Sequence, residues 1–422
     1  MRCAVLILRD EAGDADRFRR SLTAAKTHGL GDFRQITCIG HGATGPWELQ
    51  ATAQVAQDSD YDWILAVTDA ETLLPDVFVK SAPALRLHDA VWGAAGLDGS
   101  SSASGKPERI TRLAAQDLPG FFHAALAWWI GPSHFVKPKR ALAALHAPVT
   151  AAWYADYMLS LWRDGRAYKT AHALTSFTGT LPPLAPADRG RLIESLEREP
   201  VFMDVHHGAH ALRVPYTGVN PVIEREQMRG QFFEPDELRF LADRLPRGLR
   251  IVDAGANTGN HTIFFASVLD AQRVVPIEPH PRAVAAIRAG IAANSLRNVD
   301  LSCLGIALGA SLGRLRPILS EGGGLGATRY VPDPDGPIPV SPLDALPVGG
   351  VDFLKIDVEG MEMEVLAGAA ALIARDRPAL YIEVLDAGIG PFMAWADANS
   401  YRVEKLFPDK THCNYFVTPD EP

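Results

Sequence analysis

The feature that most restricts the fold is a series of short apolar segments, each ending at a glycine-rich turn or at acidic residues. In the second half of the chain these segments are Arg250–Ala254, Arg273–Ile277 and residues 351–356, and helix-like segments separate them. Alternation of short buried strands with helices is typical of a parallel sheet with helical connections. The sequence therefore predicts an α/β fold in which ligands bind beyond the carboxyl ends of the strands.

The first half shows a similar alternation, with predicted strands at 4–8, 34–39 and 63–67. The apolar run 121–131 is predicted to be a further buried strand. The proline-rich segment 181–186 then interrupts the pattern, because proline continues neither a helix nor a central strand. We therefore predict two α/β domains in the 422 residues, at 1–180 and 201–422, with a linker at 181–200.

Composition excludes several classes of protein. The net charge of −9 disfavours general nucleic-acid binding, which relies on Lys and Arg to neutralise phosphates. The four cysteines form no C-x-x-C pair, which excludes a disulfide scaffold and a zinc ribbon and is typical of a reducing compartment. No apolar run reaches the roughly 18 residues of a transmembrane helix. We therefore expect a cytoplasmic enzyme.

The strongest motif joins a strand end to a glycine turn. Residues 252–262, VDAGANTGNHT, follow one predicted strand and precede a predicted helix. Gly255 and Gly259 would let the backbone turn sharply and approach a ligand. Glu278 ends the next strand about 20 residues later, where a carboxylate can accept hydrogen bonds from two ribose hydroxyls. A structural turn with a solvated acid is the alternative, and the lack of G-x-G-x-x-G disfavours an NAD-dependent oxidoreductase.

A third group of charged residues follows the strand predicted at 351–356. Lys355, Asp357 and Glu359 alternate along the sequence, so they project to one side of an extended chain. Charges at the end of a buried strand are costly unless they are paired or used. The pattern indicates either a catalytic site or a structural Lys355–Asp357 ion pair with Glu359 at a helix N-terminus.

Together these segments resemble the FkbM family of S-adenosylmethionine-dependent methyltransferases, over about residues 205–418. The resemblance rests on VDAGANTGNHT, IEPHP, the asparagines Asn294 and Asn298, PLDAL, LKIDVEGMEMEVLAGA and LYIEV. It implies the class I methyltransferase fold, a doubly wound, Rossmann-like sheet. It also implies S-adenosyl-L-methionine as cofactor and O-methylation of a hydroxyl, often on a sugar.

The resemblance also implies roles for individual residues. The cofactor-binding residues implied are Asp253, Gly255, Asn257, Gly259 and Glu278. Of these, Gly255, Asn257 and Gly259 would line the methionine end, and Glu278 would hold the ribose. The catalytic residues implied are Asp357 and Glu359, near the methyl donor and acceptor. A sugar hydroxyl is a weak nucleophile until its proton is removed, so Asp357 is our first candidate for the general base and Glu359 the second.

A second set of acidic residues lies in the first half. Asp69 and Glu71 follow the strand predicted at 63–67, and carboxylates at this spacing can share a divalent cation that bridges diphosphate oxygens. Asp156 opens an amphipathic helix that ends at a glycine. Capping of a turn or helix by these acids is the structural alternative.

The two motifs resemble nucleotide-sugar glycosyltransferases of the GT-A type, family 2-like, over about residues 1–178. The resemblance implies that Asp69 and Glu71 hold Mn²⁺ or Mg²⁺ with a nucleotide sugar, and that Asp156 is a catalytic base. Ala155 stands where the family has the first acid of its E-D pair. A non-catalytic module that binds a sugar or an acceptor is therefore the alternative.

The whole sequence predicts a methyltransferase that acts on a sugar hydroxyl of a glycan, glycolipid or polysaccharide precursor. Its N-terminal domain would transfer or recognise sugar. In the alternative interpretation, glycosyl transfer from a nucleotide sugar is the main activity.

Overall fold

The computed structural model describes most of the second half of the chain and parts of the first. The described residues are 2–9, 20, 23, 33–39, 54–57, 60–68, 71–74, 76–97, 117–126, 133–144, 152–163, 166–177, 184–318, 325 and 328–420. The chain divides into two compact units, Met1–Leu196 and Glu197–Pro422. Each unit has an α/β structure with its own central sheet.

The first unit is built on a mixed sheet. Its strands are β1 (Cys3–Arg9), β2 (Phe33–Ile39), β3 (Trp63–Thr68), β4 (Glu71–Leu73), β5 (Ala90–Leu97), β6 (His134–Val136) and β7 (Ala167–Phe177). In the described residues they form seven strands in the order β2-β1-β3-β6-β5-β7-β4. β1 is parallel to β2 and β3, whereas β6 is antiparallel to β3 and β5. The strands predicted at 4–8, 34–39 and 63–67 are confirmed.

The helices of the first unit include one segment that was predicted wrongly from the sequence. They are α1 (Val77–Leu87), α2 (Leu118–Leu126), α3 (Pro138–Ala144), α4 (Trp153–Arg163) and α5 (Pro186–Arg198). The run 121–131 was expected to be a strand, but its first six residues lie in α2. Every residue of 120–126 is buried, so no alternation of apolar and polar residues distinguishes a helix from a strand here.

The second unit contains a largely parallel central sheet. Its strands are β10 (Arg250–Ala254), β11 (Arg273–Ile277), β16 (Phe353–Ile356), β17 (Ala379–Leu385), β18 (Tyr401–Pro408) and β19 (His412–Pro419). Their order is β11-β10-β16-β17-β19-β18, and the first four are parallel. β19 is antiparallel to both of its neighbours. The carboxyl ends of β10, β11, β16 and β17 therefore share one edge.

Helices and two small sheets complete the second unit. The helices are α6 (Pro221–Gln227), α7 (Pro235–Arg244), α8 (Asn260–Ser267), α9 (Pro281–Ala293), α10 (Glu362–Gly368), α11 (Ala370–Asp376) and α12 (Ile389–Ala398), with 3₁₀ turns at Leu343–Ala345 and Asp386–Gly388. A hairpin consists of β8 (Val201–His207) and β9 (His210–Tyr216). A four-stranded sheet consists of β12 (Ala307–Leu308), β13 (Gly313–Ile318), β14 (Arg329–Pro332) and β15 (Ile338–Ser341).

The core of the second unit lies along the parallel strands. Val252 of β10, Leu354 of β16 and Leu380 of β17 are fully buried. They pack in one cluster with Leu366 of α10 and Phe392 of α12. Burial on both faces explains why the sequences of these strands are continuous apolar runs.

Within the described part of the chain, no helix has the length and apolar character needed to cross a membrane.

Candidate functional site

The glycine-rich turn after β10 packs against the ends of both neighbouring strands. Gly255 has a φ of +75° and Gly259 a φ of +88°, a backbone region that favours glycine. The N–H groups of Gly255 and Ala256 donate to the carbonyl oxygen of Ile277 over 2.9 and 3.1 Å. A Cβ at position 255 would overlap the carbonyl oxygen of Asp357. The turn is therefore held between the ends of β11 and β16.

Glu278, directly after β11, is a buried carboxyl fixed by two backbone N–H groups. Its Oε2 accepts a hydrogen bond from the N–H of Asn257 at 2.9 Å, and its Oε1 accepts one from the N–H of His280 at 2.8 Å. Burial raises the pKa of Glu278 to about 7, against the effect of these two hydrogen bonds. The side chain is thus a rigid hydrogen-bonding group that titrates near neutral pH.

Lys355 of β16 is a buried cation that connects the turn to the strand end. Its Nζ donates to the carbonyl oxygen of Gly255 at 2.8 Å and lies 3.3 Å from both Asp253 Oδ1 and Asp357 Oδ2. Burial alone would lower the pKa of Lys355, but the carboxylates of Asp357, Asp253 and Glu234 outweigh burial and raise it. The ammonium group therefore stays charged and orients the carboxylate of Asp357.

A cleft opens at the shared edge of these strands. The space between its walls and mouth, open solvent included, is about 710 Å³. Its apolar lining includes Ile277, Ala283, Ile306, Ala307, Leu308, Leu315 and Met361. Its polar lining includes Gly255, Asn257, Glu278, Thr328, Tyr330, Asp357 and Glu359. The cleft therefore combines an apolar wall with acidic and hydroxyl side chains.

Five of the residues predicted from the sequence come together in this cleft. Gly255, Asn257, Glu278, Asp357 and Glu359 all line it. Asn257 has a left-handed φ of +50°, and Glu359 has one of +57°. The Lys355–Asp357 ion pair of the structural alternative is also present; Lys355 is buried, whereas Asp357 is partly exposed and lines the cleft.

Two other predicted cofactor residues do not line the cleft. The side chain of Asp253 is fully buried beneath the turn, and its Oδ2 accepts a hydrogen bond from Thr262 Oγ1 at 2.5 Å. Gly259 lies at the N-terminus of α8, where a Cβ would approach Ile287 Cγ1 to 3.3 Å. Burial and packing show that both residues support the turn, and their contact with a cofactor stays a prediction.

A second cluster of titratable groups lies beside Asp357. Glu383 of β17 lies 3.3 Å from Nε2 of His412, measured from its Oε2. Burial, with added repulsion from Asp357 and Glu359, raises the pKa of Glu383 to about 9. From the sequence, Glu383 was conceivable as a metal ligand with Asp357 and Glu359, but the described residues contain no group of three or more His, Cys, Asp or Glu residues that could hold a metal ion.

Other residues of the cleft gave no sequence signal. Tyr330 reaches it from β14 of the four-stranded sheet, and Thr328 from the residue before that strand, a segment without a recognisable motif. Burial raises the pKa of Tyr330, and the nearby carboxyl of Glu278 adds to the effect. Only the tertiary structure brings this sheet to the strand ends.

The site predicted in the first unit is only partly described. Asp69 lies outside the described residues, and of Glu71 the structure describes only the backbone, in β4. Asp156 lies in the first turn of α4, where its Oδ1 accepts a hydrogen bond from Nε of Arg191 at 2.6 Å. In the described part of the chain, no group of three or more His, Cys, Asp or Glu residues could hold a metal ion.

Comparison with known families bears on the second unit. Residues 253–403 match the family described as the methyltransferase FkbM domain. The matched segment includes the glycine turn, Glu278, the end of β16 and Glu383. The FkbM resemblance of the C-terminal half is therefore supported, whereas the comparisons give no support to the glycosyltransferase resemblance of the first half. No curated protein sequence matches the chain significantly.

Several solved structures align with about half of the chain. A precorrin-6y C5,15-methyltransferase from Geobacter metallireducens is 16% identical, with 45% of this chain and 90% of that chain covered and a TM-score of 0.31. TYW2 from M. jannaschii, in complex with AdoMet, is 13% identical, with 53% and 88% covered and a TM-score of 0.30. An uncharacterized protein from Listeria monocytogenes serotype 4b is 14% identical, with 44% and 68% covered and a TM-score of 0.31. Similarity at this level assigns no function to this chain.

Proposed function

We propose that the unit Glu197–Pro422 binds S-adenosyl-L-methionine and transfers its methyl group to a sugar hydroxyl. The acceptor would be a glycan, a glycolipid or a polysaccharide precursor. The observation that carries the proposal is the convergence of the glycine turn, Glu278 and Asp357 on one cleft at the carboxyl edge of parallel strands. The FkbM match over residues 253–403 supports the same reaction class.

The residues of the cleft fit this cofactor. The apolar lining around Ile277 and Leu308 suits an adenine ring, and the fixed carboxyl of Glu278 suits two ribose hydroxyls. Asp357 and Glu359 supply negative charge for a cationic ligand. When bound, S-adenosyl-L-methionine supplies an electrophilic methyl group on a sulfonium that is a good leaving group.

The residues of the chain would contribute by positioning and by proton transfer. Lys355 holds Asp357 in one orientation at the cleft, and a fixed carboxylate there can orient an acceptor hydroxyl and accept its proton. Glu359 lines the same side and is the second candidate for this role. Methyl transfer is an in-line displacement, so correct placement of the two reactants provides much of the rate enhancement.

Isothermal titration calorimetry of S-adenosyl-L-methionine tests the cofactor assignment. Glu278→Gln removes an ionised acceptor, so we expect its Kd to rise about tenfold to a hundredfold. Asp344→Asn is the matched control, because the Asp344 carboxylate also accepts two backbone N–H groups, those of Ala371 and Leu372, but does not line the cleft. Equal affinity in the wild type and Glu278→Gln would reject the proposed ribose site.

We further propose that the first unit recognises the sugar acceptor. The support for this proposal is the acidic motif of the sequence, in which Glu71 begins the short strand β4. The ion pair of Asp156 with Arg191 gives that carboxylate a structural partner and favours the binding module over a catalytic base. Glycosyl transfer from a nucleotide sugar, with Mn²⁺ or Mg²⁺, is the alternative activity for this unit.

A further inference from the structure

The loop between β9 and α6 is held in place by one buried carboxyl group. Oε1 of Glu224 accepts hydrogen bonds from Thr217 N–H at 2.7 Å, from Thr217 Oγ1 at 2.7 Å and from Gly218 N–H at 2.9 Å. The side chain of Glu224 is buried. Three donors on a single oxygen fix the conformation of a loop that otherwise has no regular structure.

This loop contacts the glycine turn directly. Nδ2 of Asn220, itself buried, donates to Oδ1 of Asn257 at 2.9 Å. Asn257 has a left-handed backbone, which asparagine tolerates better than most residues with a Cβ, and the bond from Asn220 fixes its side chain. The N–H of the same Asn257 is one of the two donors that fix Glu278.

The C-terminal end of the glycine turn, at Asn260, is also hydrogen-bonded to helix α6. Nε2 of Gln227, the last residue of α6, donates to Oδ1 of Asn260 at 3.1 Å. Asn260 also accepts from the N–H of Phe233 at 3.0 Å. Both ends of 257–260 are thus bonded to residues that precede the FkbM match at 253–403.

One wall of the cleft also depends on this loop. The N–H of Leu325 donates to the carbonyl oxygen of Val219 at 3.0 Å, and Leu325 lines the cleft. The loop therefore connects two parts of the cleft that lie far apart in the sequence.

We propose that Asn220 is a positioning residue of the cofactor site and that Glu224 holds Asn220 in place. Asn220 keeps Asn257 in its left-handed conformation, and Asn257 in turn orients the Glu278 carboxyl toward the cleft. The inference rests on the proposed binding of S-adenosyl-L-methionine. It extends the cofactor site to residues 217–224.

Calorimetry on the full chain, with S-adenosyl-L-methionine as the probe, tests this role. We expect Asn220→Ala to raise the Kd about fivefold to tenfold, the effect of one lost hydrogen bond in a preorganised site. Asn294→Ala is the matched control. Asn294 also bonds to an upstream segment, through the backbone of Arg213, but Arg213 does not line the cleft, whereas Asn257, the partner of Asn220, does. Thermal unfolding of both variants separates stability from affinity.

Two further comparisons distinguish positioning from a general loss of stability. Glu224→Gln keeps a carbonyl oxygen that can accept the same three donors, so its affinity should stay close to that of the wild type, whereas Glu224→Ala should weaken binding. In a double-mutant cycle, Asn220→Ala should have little added effect when Asn257→Ala is already present.

The outcomes separate this inference from the proposed function. Failure of the wild-type chain to bind S-adenosyl-L-methionine rejects the proposed function, and the inference with it. If the wild type binds and Asn220→Ala binds equally well, the inference alone is wrong. If Asn220→Ala does not fold, the Kd of Thr217→Val tests the inference instead. This milder substitution removes one of the three donors to Glu224. A twofold or greater rise in Kd, as a rough threshold, supports the inference, and an unchanged Kd overturns it.

Discussion

Glu278 is the residue at which burial has the clearest functional consequence. Its ionised form can accept hydrogen bonds from ribose hydroxyls, and its pKa is raised to about 7 from an ordinary value of 4.5. We therefore expect the affinity for S-adenosyl-L-methionine to fall as the pH is lowered through about 7. Calorimetry at a series of pH values measures this dependence. Glu278→Gln should bind with much less dependence on pH in the same interval.

The raised pKa of Glu278 affects stability in the opposite direction: affinity should rise with pH, whereas the stability of the fold should fall. Because folding favours the protonated carboxyl of Glu278, its contribution to the free energy of unfolding is fully present below pH 4.5. That contribution is lost as the pH rises through about 7. The melting temperature of the wild type, relative to that of Glu278→Gln, should therefore decrease over this interval. For the affinity measurements, an identical pH profile in the wild type and in Glu278→Gln would show that a group other than Glu278 titrates.

Gly255 shows what a residue type reveals before the structure is known. The sequence predicted a sharp turn there because glycine adopts a left-handed backbone without strain and lets a ligand approach closely. The structure adds that the carbonyl oxygen of Asp357 occupies the space where a Cβ would lie. The need for glycine was predictable, but the neighbour that imposes it was not.

At the scale of elements, the end of β16 combines structural and functional charges. Lys355 is buried and bonds to the turn and to two carboxylates. Lys355→Met would leave Asp253 and Asp357 without their cation, so we expect a loss of about 3–5 kcal/mol in the free energy of unfolding. Denaturant unfolding measures this loss. The control is Lys405→Met on β18, because Lys405 is exposed.

A second substitution checks the electrostatic origin of that loss. Adding Asp253→Asn to Lys355→Met removes the fully buried uncompensated charge, so part of the lost stability should return. If the double variant is no more stable than the single one, loss of packing around the lysine stem explains the effect instead.

The elements also show where sequence patterns fail. β10 and β11 have the predicted bounds, because short apolar runs that end at a glycine or an acid fit a buried parallel strand. Residues 118–126 form a helix although their apolar run suggested a strand at 121–131. Complete burial removes the periodicity that separates the two structures, so the sequence alone was ambiguous there.

At the scale of the whole molecule, the second unit has its own sheet and core. The cluster that contains Val252, Leu354 and Phe392 draws its residues only from this unit. A fragment of residues 197–422 should therefore fold and bind S-adenosyl-L-methionine with the affinity of the full chain. If the first unit recognises the acceptor, the fragment should transfer less labelled methyl to a purified glycan fraction. Calorimetry and methyl-label transfer measure the two properties.

The outcome for the fragment is informative in each case. Equal cofactor affinity with reduced transfer supports an acceptor-binding role of the first unit. Equal affinity with equal transfer rejects that role and leaves methylation to the second unit alone. Loss of cofactor binding in a folded fragment would contradict an independent cofactor site.

The sequence by itself determined the alternation of strands and helices, the glycine turn and two of the acidic strand ends. These features are local, since they depend on apolar periodicity and on residue types that tolerate particular backbone conformations. Only the tertiary structure decided that Asn220 supports Asn257, that Tyr330 and Leu325 reach the cleft, and that Asp253 lies beneath it. Those relations join residues far apart in the chain, and no local pattern encodes which distant groups will meet at one sheet edge.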